Sequence, residues 1–483
     1  MSDYRATIGL EIHAELKTKT KMFCACLNDP DEKEPNKNIC PICMAHPGSL
    51  PVINREAVHK VLLVGTALGA QLARNFSEFD RKNYFYPDIP KGYQISQYKY
   101  PLVEGGSLRG IALTRIHLEE DTARSQHEGE KSLVDYNRAG VPLMELVTEP
   151  VIHDAEVAGA FARELQLLLR YLGAGEANME KGELRIEANV SIAPAAEQYK
   201  KGEVEALGTK VEVKNLNSFR SVERAIAYEL ERQKKLLEKG EKVVQETRGW
   251  DEQKQVTFLQ RKKESSHDYR YFPDPDLPKL VLSEVEEFSD GQLKKEISGK
   301  LPWEKRDVYI KEYGLKKEDA EMFVQNMMLG AFFERAASGS SRELSIAVAN
   351  YIASDIAGAR ERGVVADAWL EDPSNAKRTG ALMMMVQSGK LSSRGAKDTL
   401  ALMFSDERDP ETIAKEKGLM QQSDAGALIA IAQKVIDANP TVAADYKTGK
   451  EAALQFLVGQ GMKESKGSAN PAALREQLVK LIS

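Results

Sequence analysis

The sequence predicts an α+β protein in three parts: an N-terminal domain built on a mostly antiparallel β-sheet with helices, an all-α helical domain, and a small all-α tail domain. Residues up to about 290 alternate apolar and polar side chains and are rich in Gly and Pro, which is typical of strands and long loops. Beyond residue 294 the chain consists of amphipathic segments rich in Ala, Lys and Glu, and the polar segment 405–410 interrupts them. We therefore predict domains at 1–293, 294–405 and 406–483.

The alternation is clearest in residues 8–16, IGLEIHAEL, near the start of the first domain. As a strand this segment has an apolar face and a polar face, because successive side chains point to opposite sides of a sheet. The polar face carries Glu11, His13 and Glu15. Residues 185–192 (RIEANVSI) and 210–214 (KVEVK) alternate in the same way. Such faces are either the solvated side of an antiparallel sheet or the lining of a site.

Glu145, in the segment GVPLMELVTEP, favours the second alternative. It shares strand parity with Val141, Leu143 and Val147, so a strand here puts a carboxylate on an apolar side. That placement is costly unless the carboxylate is paired or bound to a cation.

Two helices are expected in the first domain, at residues 151–172 and 218–239, where apolar residues recur with helical spacing. In the second part, Ser340 and Glu343 precede an apolar run. This spacing is a capping box, so we interpret Ser340 as a helix start and not as a nucleophile.

Aromatic and basic residues are interleaved in residues 79–97, FDRKNYFYPDIPKGYQISQ, and again in residues 268–276. The prolines and glycine of the first segment predict a loop. Loops of this composition often line a site for a phosphate or a base, but rings that only pack on the sheet are an equal alternative.

All four cysteines lie in one short stretch, as Cys24-x-Cys26 and Cys40-x-x-Cys43. In a reducing compartment such a cluster indicates a metal site and not disulfides. Four thiolates suit a closed, structural zinc site.

The net charge of −6 excludes a protein that is basic over its whole surface, so any nucleic-acid site must be a local patch. The first residues lack the apolar core of a signal peptide, and no apolar stretch is long enough to span a bilayer. We expect a cytoplasmic protein with no membrane partner.

The carboxylates, the imidazole and the basic loop residues together favour metal-assisted phosphoryl chemistry. Mg²⁺ prefers oxygen ligands, while an imidazole ligand leaves Mn²⁺ as an alternative. No G-x-x-x-x-G-K-[ST] loop occurs, so a nucleotide site must be built in another way. A metal-dependent phosphodiesterase would need the same carboxylates.

Long motifs in sequence order identify a family. IGLEIHAEL, the cysteine cluster, FDRKNYFYPDIPKGYQISQ, HLEED, SLVDYNRAGVPLMELVTEP, NMEKGELRIEANVS, GTKVEVKNLNSFRSVERAI, DYRYFPDPDLP and the tail segment LQFLVGQGMKESKGSANPAAL resemble the GatB family of bacterial aspartyl/glutamyl-tRNA amidotransferase subunits. The resemblance covers nearly the whole chain.

The resemblance implies a cradle-like catalytic domain that uses ATP to activate the side-chain carboxylate of mischarged Glu-tRNA(Gln) or Asp-tRNA(Asn). Ammonia then displaces phosphate and gives the amide. The ammonia comes from a separate amidase subunit through a channel, and a small third subunit completes a heterotrimer. A non-catalytic, zinc-containing scaffold that only presents tRNA is the alternative.

The resemblance also implies residue roles. The divalent-cation site falls on Glu11, His13, Glu120, Glu145 and Glu187. Lys82 and Lys214 are implied contacts to phosphate or the acyl group, and Lys463 and Lys466 are implied contacts to tRNA. Glu187 stands where the family usually has aspartate, and Met44-Ala45-His46 replaces a more usual Leu-Gly-Leu. No role is assigned to Glu15, which we expect on a solvated face.

Overall fold

The computed structural model describes residues 4–194, 207–262, 269–421, 425–465 and 469–482. The chain forms two compact units, residues 1–302 and residues 303–483. Across these ranges, no helix combines the length and the apolar character needed to cross a membrane.

The first unit contains fifteen described strands. They are β1 (Tyr4–Glu15), β2 (Gln71–Leu72), β3 (Asp80–Asn83), β4 (Tyr93–Ser96), β5 (Val103–Glu104), β6 (Ser107–Leu108), β7 (Ile111–Glu120), β8 (Arg124–Glu128), β9 (Lys131–Asp135), β10 (Pro142–Thr148), β11 (Leu184–Pro194), β12 (Val211–Leu216), β13 (Glu246–Asp251), β14 (Val256–Lys262) and β15 (Phe272–Pro273). Its helices are α1 (Arg55–Ala67), α2 (Ala155–Tyr171), α3 (Phe219–Glu238) and α4 (Asp290–Ile297), with 3₁₀ turns at Leu282–Glu284 and Glu286–Phe288.

Ten of these strands form one sheet in the order β14-β13-β12-β11-β1-β10-β7-β5-β2, with β6 paired to β7. Neighbours are antiparallel except β12 and β13, which are parallel. β8 and β9 form a separate hairpin. The mostly antiparallel sheet that the alternating segments predict is therefore confirmed.

The apolar face of β1 is completely buried: Ile8, Leu10, Ile12 and Ala14 are at most 1% exposed. Helices α1 and α3 contact strands of the sheet, and α2 packs on α3. Burial of this face is the main favourable contribution to folding of the unit. The polar face of the same strands is left for the cavity described below.

The aromatic segments differ from the predicted loops. Residues 80–83 and 93–96 form the hairpin β3–β4, and β15 pairs with β3 in a small sheet of its own. The prolines and glycine lie in the turn between β3 and β4, where they do not interrupt the pairing.

The two helices predicted in the first unit are confirmed as α2 and α3. Asp154 caps α2, because its side chain accepts a hydrogen bond from the amide of Val157 (2.8 Å), so α2 begins four residues after the predicted start. Ser218 caps α3 through the amide of Ser221.

The second unit is helical. Its elements, with the helix that begins at residue 302, are α5 (Pro302–Lys311), α6 (Lys317–Gln325), α7 (Met327–Ala336), α8 (Arg342–Tyr351), α9 (Ala357–Glu361), α10 (Asp367–Glu371), α11 (Pro373–Gln387), α12 (Ser393–Met403), α13 (Pro410–Glu416), α14 (Ala425–Ala438), α15 (Pro440–Lys447), α16 (Glu451–Glu464) and α17 (Pro471–Ile482), with a π-turn at Ile352–Ile356. The predicted start of α8 is confirmed, but Ser341 and not Ser340 is the cap, since its side chain accepts from the amide of Leu344.

A buried carboxylate fixes α3 to the edge of the large sheet. Glu229 is fully buried, and it accepts hydrogen bonds from Arg232 (2.7 Å) and Gln233 (2.9 Å) on its own helix and from Thr257 of β14 (3.2 Å). Arg248 of β13 lies 3.7 Å away. One carboxylate thus satisfies donors on three elements, and its loss leaves two guanidinium groups without this partner.

We predict that Glu229→Ala lowers the free energy of unfolding of the first unit by about 3 kcal/mol, because it removes one partner from a buried charge network. Glu231→Ala is the matched control: Glu231 is exposed on the same helix and pairs only with Lys235 (3.4 Å), so its effect should stay within about 0.5 kcal/mol. Denaturant unfolding followed by circular dichroism measures both, and equal losses in the two variants would contradict the assignment.

Candidate active site and metal centre

The polar face of the sheet centre lines a cavity of about 800 Å³. On one rung, Arg185, His13, Glu145 and His117 lie side by side across β11, β1, β10 and β7. On the next rung Glu11 lies opposite Glu187. Strand alternation alone brings these side chains to one surface, since all of them share the parity of Glu11 and His13 or its match on the neighbouring strand.

His13 is the centre of a carboxylate–imidazole cluster. Its Nε2 lies 3.3 Å from Glu119 Oε1 and 3.4 Å from Glu145 Oε2, and His117 Nε2 also lies 3.3 Å from Glu145 Oε2. The side chains of His117, Glu119 and Glu145 are at most 6% exposed. The cluster is therefore a buried ionic site and not a solvated face.

The cluster changes the pKa values of its members. Burial opposes a charged imidazole at His13, but its hydrogen bonds to Glu119 and Glu145 raise its pKa well above the ordinary value. Burial and then the charge of Glu145 raise the pKa of Glu11. The carboxylates thus attract positive charge strongly, which is the electrostatic condition for binding a cation.

Lys82 closes one side of the cavity. Burial opposes its charge, but Glu119, Tyr271 and Glu145 hold its pKa above the ordinary value. Its Nζ lies 5.3 Å from the ring centre of Tyr269, so the ammonium is held between carboxylates and an aromatic wall. Because β15 pairs with β3, the two aromatic segments of the sequence meet here.

Glu187 and Lys214 form an ion pair on the other side of the cavity. Lys214 Nζ lies 2.8 Å from both carboxylate oxygens of Glu187 and 3.7 Å from Glu212. Glu187 therefore faces Glu11 but already has a cation partner.

Glu15, expected on a solvated face, is instead 8% exposed. Its Oε1 accepts a hydrogen bond from Arg138 (2.6 Å), which also donates to Asp121 (2.5 Å). Burial raises the pKa of Glu15 to about 7, although Arg138 acts against this. Asp121 in turn accepts from Arg185 (2.9 Å), so this network supports the rim of the cavity.

Glu120 lies outside the His13 cluster. Its carboxylate accepts hydrogen bonds from Lys91 Nζ (2.6 Å) and from the amide of Ile95 (3.0 Å). The reason is alternation along β7: His117 and Glu119 point into the cavity, so the next residue points away. The pattern H-x-E in HLEED could have indicated Glu119, had residues 111–120 been recognised as one strand.

The donor set suits a divalent cation. One oxygen or nitrogen each from Glu11, His13 and Glu145 lie within 4.8 Å of one another, and the same holds for His117, Glu119 and Glu145. His117 Nδ1 and Asn189 Oδ1 are buried polar atoms that have no hydrogen-bond partner among the residues described. Such atoms are costly unless a ligand or water satisfies them.

The four cysteines converge as the sequence predicts. Their sulfur atoms lie within 4.8 Å of one another, and the Sγ atoms of Cys40 and Cys43 are 3.9 Å apart. Tetrahedral zinc with 2.3 Å bonds to sulfur needs separations of about 3.8 Å. The hydrogen bond with the Cys24 thiol lowers the pKa of Cys43 to about 5, as the thiolate of a metal ligand requires. The cluster is compatible with structural zinc.

In the second unit, Lys463 is exposed on α16, and Lys466 lies outside the described residues. Of the residues predicted for the cation and substrate site, Glu11, His13, Glu145, Glu187, Lys82 and Lys214 line one cavity. The sequence analysis assigned no role to His117, Glu119 or Arg115, although Arg115 Nη2 lies 3.6 Å from Glu145.

Comparisons with known proteins agree with this architecture. A model of the GatB/GatE catalytic domain matches residues 6–286, and a model of the GatB domain matches residues 331–482. The GatB-type subunit of the aspartyl/glutamyl-tRNA(Asn/Gln) amidotransferase of Carboxydothermus hydrogenoformans is 43% identical over 501 aligned positions, with 100% of both chains covered. The protein of the same name from Thermomicrobium roseum is 44% identical over 489 positions, covering 99% of this chain and 98% of its own. With a family model that spans more than half of its length and relatives matched from end to end, the chain belongs to the GatB/GatE family.

Proposed function

We propose that this chain is the subunit of a tRNA-dependent amidotransferase that converts mischarged Glu-tRNA(Gln), Asp-tRNA(Asn) or both to the amide in an ATP-dependent reaction. The observation that carries the proposal is the buried cluster of Glu11, His13, Glu119 and Glu145 in a cavity with Lys82. A phosphoryl-transfer site needs bound cations and positive side chains close to where phosphate charge develops, and this cavity has residues for both.

The proposed reaction has two steps. An oxygen of the substrate's side-chain carboxylate attacks the γ-phosphorus of ATP, the bond to the β-phosphate breaks, and ADP leaves. Ammonia then attacks the carbonyl carbon of the acyl phosphate, and inorganic phosphate leaves with the C–O electron pair. The first step is needed because an ionised carboxylate is a poor acyl donor.

The cation site of this proposal draws on Glu11, His13, Glu119 and Glu145. Mg²⁺ bound there would neutralise phosphate charge, and Mn²⁺ would suit the imidazole ligand as well. Lys82 contributes a fixed positive charge beside the cluster. Lys214 is bound to Glu187 and is available to exchange this partner for an incoming phosphate oxygen or acyl group.

We infer that the ammonia comes from a separate amidase subunit. The only four cysteines of the chain are in the metal cluster, so no other thiol can act as the nucleophile of a glutaminase. A small third subunit would complete the complex, residues 406–483 would contact tRNA through Lys463 and Lys466, and the reaction would take place in the cytoplasm.

We predict that Glu11→Gln reduces ADP release by about 100-fold or more, because it removes a charged ligand from the cation site. The assay uses the complete complex with Mg²⁺ and either Glu-tRNA(Gln) or uncharged tRNA. ADP release should require the glutamyl group. Glu104→Gln is the matched control, since Glu104 is exposed on β5 of the same sheet and should leave the rate unchanged. Wild-type ADP release in Glu11→Gln would favour the tRNA-presenting scaffold instead.

A second prediction separates the adjacent residues Glu119 and Glu120. Glu119→Gln should raise the Mg²⁺ concentration for half-maximal ADP release by about tenfold or more, because Glu119 contacts His13 in the cluster. Glu120→Gln should leave that concentration unchanged, since Glu120 pairs with Lys91. A Mg²⁺ titration of both variants is the measurement. If Glu120→Gln alone shifts the Mg²⁺ dependence, the ligand set proposed here is incorrect.

A further inference from the structure

A fully buried lysine lies beside the cysteine cluster. Lys21 is 0% exposed, and its Nζ donates hydrogen bonds to the carbonyl oxygens of Asn38 (2.8 Å) and Tyr136 (3.1 Å). The remaining contact of the ammonium is Cys43 Sγ at 3.9 Å. No carboxylate in the described part of the chain forms an ion pair with Lys21.

A buried ammonium group needs an anion, because two carbonyl dipoles replace only part of its lost hydration. Cys43 Sγ is the contacting atom that can carry a full negative charge, and only as a thiolate. The sulfur has further stabilisation from the amide of Cys40, which donates to it at 3.2 Å. A zinc ion bound by four thiolates has two negative charges in excess of its own, so the cluster needs a nearby cation as much as Lys21 needs an anion.

We propose that Lys21 is the counter-ion of the metal–thiolate centre and retains the metal through its N–H···S contact with Cys43. The inference is independent of the proposed amidotransferase activity, because it depends only on the cluster and its buried neighbour. Outer contacts of this kind typically change metal retention by about one to two orders of magnitude.

The position of Lys21 also gives it a second effect. Asn38 belongs to the loop between the two cysteine pairs, and Tyr136 follows β9. Lys21 therefore joins the metal loop to the segment that carries Arg138, whose guanidinium holds Glu15 and Asp121.

The experiment compares Lys21→Met, which removes the charge, with Lys21→Arg, which keeps it, in the full-length chain. Zinc release is measured as the rate of transfer to a chromophoric chelator. Cobalt(II) substituted for zinc gives a second readout, the sulfur-to-metal charge-transfer band. A positive charge beside the sulfur holds its electrons more tightly, so removal of that charge should move the band to longer wavelength.

We expect Lys21→Met to release zinc at least about tenfold faster than the wild type and to shift the cobalt band to longer wavelength, with Lys21→Arg restoring most of both properties. Lys19→Met is the matched control, since Lys19 is exposed two residues away and should change neither. Lys21→Gln is the second neutral variant and retains an N–H donor for the two carbonyls.

Unchanged zinc release and an unchanged band in a folded Lys21→Met or Lys21→Gln chain would overturn the proposal. If both neutral variants fail to fold while Lys21→Arg folds with zinc bound, the charge is the property required, which supports it. Failure of Lys21→Arg together with normal zinc retention in a neutral variant would show that shape and not charge matters.

Discussion

The structure depends on a single geometric constraint, the alternation of side chains along β1. Its apolar face must be dry for the sheet to be stable, and α1 to α3 provide that cover. The same geometry then forces Glu11 and His13 onto the opposite face, between β10 and β11. A one-residue change of register would expose the core and bury the ionisable groups among the helices, so packing and site geometry are specified together.

Charge balance determines how the polar face is organised. Carboxylates at this depth are costly without partners, and the protein provides imidazoles, Lys82, Lys214 and three arginines close to them. The same principle applies at the cysteine cluster, where a buried ammonium lies next to a sulfur atom. Both sites are thus built from groups that are unstable separately and stable together. This explains why chemically unusual residues are found side by side in an otherwise ordinary α+β fold.

Much of this arrangement could be predicted from the sequence. Period-two patterns in residues 8–16 and 185–192 predicted two neighbouring strands and the face that each one turns to the cavity, and the cysteine spacing predicted the cluster. The choice between Glu119 and Glu120 could not be made from the resemblance, since it depends on the phase of β7 relative to β10. The burial of Glu15 also depends on Arg138, which is 123 residues away in sequence. Contacts at such separations leave no local pattern.

The position of β1 has a consequence for how the protein is made. β1 is the first described strand in the chain, yet its partners β10 and β11 begin at Pro142 and Leu184. During synthesis its apolar face must wait until about 190 residues have left the ribosome, which takes roughly 10–40 s at typical elongation rates. In this interval an exposed, strongly apolar strand can pair with other chains. The nascent protein therefore has a defined window of vulnerability to aggregation that ends when β11 completes the centre of the sheet.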